Sequence, residues 1–122
     1  MMSHTILVVD DEPDVRTFLT AVLEKAGFRV VTAEDGGQAM AVMEDEKPDL
    51  IVLDLQMPDH TGTDFYRRLM KQDALRETPV IVVSGIAGRH LAVSRPYAVF
   101  DKPIVPDDFI ETVERALGVN ID

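Results

Sequence analysis

Five short apolar runs, each closed by a polar or acidic residue, restrict the fold of this chain more than any other feature. They are Ile6–Val9, Val30–Val31 with Ala33, Leu50–Leu53, Val80–Val83 and Ala98–Phe100. The runs are brief, rich in β-branched residues and mostly uninterrupted by polar ones, which is the pattern of strands covered on both faces. Segments of helical period lie between them. After Pro13, suited to a first helical turn, Val15, Phe18, Leu19, Val22, Leu23 and Ala26 recur at three and four residues, and Gly27 stops the helix. Ala39, Val42 and Met43 mark a second helix, ended before Pro48. Phe65, Leu69 and Met70 mark a third, with Thr61 and Asp64 spaced as a capping box. Phe109, Ile110, Val113 and Leu117 mark the last, with Pro106 near its start and Gly118 after it. Gly85–Arg95, with two glycines and Pro96 behind it, predicts only a short or irregular fourth helix.

The resulting order is βα repeated five times, an α/β fold with a five-stranded parallel sheet in a doubly wound (βα)5 sandwich. At 122 residues one domain is expected, long enough to bury a core without disulfides, of which there can be none since cysteine is absent. No signal peptide or bilayer-length apolar stretch is present, so a cytoplasmic protein without membrane insertion is expected. With 22 acidic against 12 basic residues the net charge is −10, a field that repels polyphosphate, so direct nucleic-acid binding is not expected. Arg67, Arg68 and Lys71 read as a solvated helix face. His4, His60 and His90 are scattered without metal-ligand spacing, and no nucleotide-binding glycine motif occurs.

In a doubly wound sheet the ligand site lies beyond the carboxyl ends of the strands, near the point where strand order reverses. The residues closing the runs there are Asp10-Asp11, Asp54, Ser84 and Asp101-Lys102-Pro103. The three carboxylates of Asp10, Asp11 and Asp54 in one crevice would repel unless a cation intervenes. A hard divalent ion with oxygen ligands resolves the conflict, and Mg²⁺ suits a site that offers one or two carboxylates and water. Lys102 adds positive charge without being a metal ligand. Such a site holds an anion beside acids, the requirement for phosphoryl transfer. Asp54, on the central run, is the best candidate for a carboxylate nucleophile, with Lys102 and the Ser84 hydroxyl taking phosphoryl oxygens. Taken singly, each feature has a plainer reading. Asp10-Asp11-Glu12-Pro13 reads as a turn and helix cap, Asp54 as a strand-end acid, Ser84-Gly85 as a turn, and Lys102-Pro103 as a loop. The joint pattern at successive strand ends favours the functional reading.

These residues carry a family resemblance. Ile6–Arg16 (ILVVDDEPDVR), Pro48–Pro58 (PDLIVLDLQMP), Gly62, Pro79–Gly85 (PVIVVSG) and Asp101–Pro103 (DKP) resemble, in this order, response-regulator receiver domains of two-component and phosphorelay signalling, the CheY-like superfamily. The resemblance implies a flavodoxin-like strand order of 2-1-3-4-5. It implies Asp54 as phosphoacceptor, Asp11 as direct Mg²⁺ ligand, Asp10 acting through metal-bound water, and Gln56 offering its backbone carbonyl. It also implies Ser84 as the switch hydroxyl, Lys102 as the phosphate-pairing lysine, and a cis bond between Lys102 and Pro103. Two departures stand out: Val99 occupies the position where such domains carry Tyr or Phe, and the Ser84–Lys102 segment is a few residues short. Both bear on signal output through the fourth helix and fifth strand, not on phosphoacceptance.

The expected function is therefore acceptance of a phosphoryl group on Asp54 from a histidine kinase or histidine phosphotransfer protein, followed by altered contact with a downstream protein. No enzyme activity is expected beyond self-phosphorylation and dephosphorylation. The expected domain is 1–122 with a core at 5–117, no output domain, and a monomeric or weakly homodimeric state. Two alternatives are a receiver-like interaction module that works without phosphorylation, and an aspartate-nucleophile phosphohydrolase. The second is weakened by Gln56, which stands where such enzymes place a second acid.

Overall fold

The computed structural model describes residues 4–54, 61–84, 96–101 and 103–119, without the side chains of Thr61 and Ser84. Its strands are β1 (Thr5–Val9), β2 (Arg29–Ala33), β3 (Leu50–Asp54), β4 (Val80–Ser84) and β5 (Ala98–Asp101). They form one parallel sheet in the order β2-β1-β3-β4-β5, as expected. The described helices are α1 (Pro13–Lys25), α2 (Gly36–Glu46), α3 (Thr61–Met70) and α4 (Pro106–Leu117). The short helix expected within 85–95 lies outside the described residues, as does the Thr61 side chain of the expected capping box.

Strand pleating divides the core in two. Leu7, Val9, Ile51, Leu53, Val80 and Val82 face Ala39, Met40 and Met43 of α2 and Phe65, Tyr66 and Leu69 of α3. Ile6, Val8, Leu50, Val52, Ile81 and Val83 face Leu19 and Leu23 of α1 and Phe109 and Val113 of α4. Burial on both faces is complete in β3 and nearly so in β1, whereas the edge strands β2 and β5 keep exposed positions. The uninterrupted apolar pattern is thus a property of the inner strands.

Local chemistry sets the helix ends. Pro13 opens α1 and Pro106 opens α4, where a missing N–H costs nothing. Asp35 caps α2 by accepting the Gln38 N–H at 2.8 Å, while the Gln38 side chain accepts the Glu34 N–H at 2.8 Å. Gly118 ends α4 in the left-handed region at φ 70°. Lys47 ends α2 at φ 49° ahead of Pro48, taking the left-handed turn without being glycine.

Phe109 packs edge-on to Phe100, ring centroids 5.7 Å apart. Phe109→Ala should cost about 3 to 5 kcal/mol in urea denaturation, and a loss below about 1 kcal/mol would contradict the packing described for α4.

Candidate functional site

The ladder between β1 and β3 pairs Val9 with Leu53, so Asp10 and Asp54 follow side by side at the carboxyl rim. Asp54 is 1% exposed and Asp10 is 2% exposed, the two buried acids among the described residues. Oδ2 of Asp54 is shut off from solvent and takes no hydrogen bond from the described residues. Leaving β1, the chain turns sharply. The Asp10 N–H still donates to Ala33 O of β2 at 3.1 Å, and Asp10 Oδ1 accepts the Glu12 N–H at 2.9 Å. This is the side-chain turn expected of an aspartate ahead of a helix. Glu12 is the N-cap residue of α1, yet its side chain makes no cap hydrogen bond. Instead, carboxylate oxygens of Asp10, Glu12 and Asp54 lie within 4.8 Å of one another.

Of the residues picked from the sequence, the structure brings together Asp10 and Asp54. Asp11, expected as a direct ligand, is half-buried and stands outside the trio; Glu12 takes the third place. The sequence reading treated Glu12 only as part of a turn and cap. Its one available signal was its position two residues beyond Asp10, where a hydrogen-bonded turn returns the chain to the same side. Ser84 is the last residue of β4, paired in register with Asp101, while its side chain, Gln56, Lys102 and the Lys102–Pro103 bond lie outside the described residues. Val99 is exposed on β5, Tyr97 is exposed just before it, and Phe100 packs against the α1/α4 core.

Arg16 stands behind the trio. Its Nη1 donates to the Asp10 backbone carbonyl at 2.7 Å and its Nη2 lies 3.9 Å from a Glu34 carboxylate oxygen. An apolar groove of about 510 Å³ adjoins the same rim, lined by Glu12, Asp14, Val15, Phe18, Pro103 and Ile104, with Phe18 43% exposed.

Three carboxylates this close suit a hard cation better than any neutral ligand, and the all-oxygen donor set fits Mg²⁺. Comparison with known proteins decides the family, for the description "response regulator receiver domain" matches residues 6–114. The chain belongs to the response regulator receiver domains. This receiver is 33% identical to protein Rrf1 of Nitratidesulfovibrio vulgaris, over 96% of the chain and 85% of Rrf1. It is 40% identical to the phosphate regulon transcriptional regulatory protein PhoB of Pseudomonas aeruginosa, over 69% of the chain but 37% of PhoB. Among solved structures, the Vibrio cholerae chemotaxis protein CheY4 superposes with a TM-score of 0.85 at 28% identity, covering 95% of this chain and 100% of that one. A putative response regulator from Chloroflexus aurantiacus reaches a TM-score of 0.88 at 24% identity, a likeness of fold. No helix among the described residues is long and apolar enough to cross a membrane.

The carboxylate repulsion has a measurable consequence. Asp10→Asn keeps an oxygen for the Glu12 N–H and removes one charge, so in chelator at neutral pH it should stabilise the fold by about 1 kcal/mol. Urea denaturation checks this, and a destabilised variant would show that the trio does not repel on balance.

Proposed function

We propose that this receiver accepts a phosphoryl group on Asp54 in a Mg²⁺-dependent reaction and so switches its contacts with other proteins. The observation that carries the reading is the buried Asp54 carboxylate, ending the central strand within 4.8 Å of two further carboxylates. Asp54 and Asp10 or Glu12 would hold the ion, with Asp11 and the Gln56 carbonyl as the remaining protein ligands that the family resemblance suggests. Bound Mg²⁺ would offset the negative charge that the acids and the phosphoryl oxygens bring together.

An Asp54 oxygen attacks phosphorus, forming the O–P bond as the P–N bond of a donor phosphohistidine breaks. The bond electrons leave on the imidazole nitrogen, which takes up a proton. Burial of Asp54 keeps bulk water from competing and fixes the attacking oxygen at the end of a packed strand. The Lys102 ammonium pairs with a phosphoryl oxygen and the Ser84 hydroxyl donates to another, biasing the nearby loops toward a second arrangement. Hydrolysis reverses the state when water attacks phosphorus and the Asp54 carboxylate leaves. Catalysis is confined to this self-directed cycle.

Receiver domains work with histidine kinases and downstream effectors. For this chain we assign the phosphodonor to a histidine kinase or histidine phosphotransfer protein, in the cytoplasm. A protein donor must cover the rim to reach Asp54, and the groove around Phe18 offers it apolar surface that shares Glu12 with the trio. The acidic net charge disfavours nucleic acid as a direct partner.

Incubation with acetyl phosphate and Mg²⁺, followed by intact-mass measurement, should add one phosphoryl group to the wild type. Chelator or Asp54→Ala should abolish the addition. An unmodified wild type would favour an interaction module that works without phosphorylation, and steady turnover of a generic phosphomonoester would favour a phosphohydrolase.

A further inference from the structure

Arg16 is the cation of α1 that sits against the acidic rim, yet among the described residues it pairs with none of the three carboxylates there. Its partners are the Asp10 backbone carbonyl at 2.7 Å and the carboxylate of Glu34 at 3.9 Å. The side chain is only 19% exposed, so the guanidinium is held in place and does not sweep through solvent. We propose that Arg16 is a positioning residue that locks the Asp10–Glu12 turn in the shape that receives the divalent cation. This rests on the reading of the trio as a cation site.

The contacts form a closed circuit. The N–H of Asp10 is tied to Ala33 O, at the end of β2, and its C=O is tied to Arg16. Arg16 in turn reaches Glu34, the residue directly after β2. Asp10 Oδ1 accepts the Glu12 N–H, and Glu12 O accepts the Arg16 N–H at 3.1 Å. Both ends of the short turn are therefore anchored to β2 and to the first turn of α1. Without such anchors, repulsion between the Asp10 and Glu12 carboxylates would open the turn before an ion arrived. The guanidinium restrains the turn through the Asp10 backbone carbonyl, not through a carboxylate of the trio. A planar fork serves two acceptors at once, which a lysine ammonium on a flexible stem does less well.

The test is a calorimetric titration of chelator-treated protein with Mg²⁺, comparing wild type, Arg16→Gln, Arg16→Lys and Arg29→Gln. Arg29, whose Nη1 pairs with Glu46 at 2.8 Å, carries the same charge away from the rim. Arg16→Gln should weaken Mg²⁺ binding by about tenfold, the size expected when a group orienting a metal ligand is lost. Arg16→Lys should recover part of that loss, and Arg29→Gln should bind as the wild type does. In acetyl phosphate assays the Arg16→Gln defect should appear chiefly as a higher Mg²⁺ concentration for half-maximal phosphorylation, not as a lower rate at saturation. The inference is overturned if Arg16→Gln or Arg16→Lys titrates like wild type, or if Arg29→Gln weakens binding equally, which would make net charge the cause. A wild type that binds no Mg²⁺ would instead overturn the cation-site reading itself, so the two failures are distinguishable.

Discussion

Two carboxylates leave the sheet side by side because β1 and β3 run parallel and in step, and the rest of the rim is arranged around that conflict. Val9 lies opposite Leu53, and the residues that follow are Asp10 and Asp54, both almost wholly buried. Neither can escape into solvent without breaking a packed strand. Placing like charges in a dry crevice is unfavourable unless a cation joins them. The turn from β1 into α1 sharpens the conflict by adding Glu12 to the group.

The fold tolerates this because the remainder of the inner strands is apolar on both faces. The apolar residues of β1, β3 and β4 alternate between the α2/α3 core and the α1/α4 core, so the rim charges sit on a platform held from two sides. Pro13 also opens α1 directly after Glu12, which fixes where the chain leaves β1 for the helix. A local violation of good packing rules, confined to one edge of a consistent structure, is where function is expected.

The parts of the fold that were legible in the sequence are those with a strong period. The inner strands showed as uninterrupted β-branched runs because both their faces are covered, and Asp10 and Asp54 showed as the acids that close two of those runs. The edge strands were harder to read, since β2 and β5 mix covered and solvated positions. Phe18 shares the helical spacing of Leu19 and Leu23, yet it opens onto the groove beside Glu12; spacing alone does not say which apolar residues at the margin of a helix face are covered. Glu12 was missed for a different reason. A helix-start sequence such as Asp-Asp-Glu-Pro has a sufficient local explanation as a cap, and only the Asp10 side-chain turn brings Glu12 back toward Asp54. The bracing contact of Arg16 depends on which way a long side chain folds, and strand and helix periods carry no information on that.

The central claim is that the buried acids at the ends of β1 and β3 form a divalent-cation site. Anomalous diffraction from crystals soaked in Mn²⁺, an oxygen-seeking ion that scatters where Mg²⁺ does not, tests it most directly. A single strong peak in contact with Asp54 and with an acid of the 10–12 turn is the predicted result. A map with no peak at that rim, or with Mn²⁺ bound elsewhere while Asp10 and Asp54 stay close together, would contradict the account.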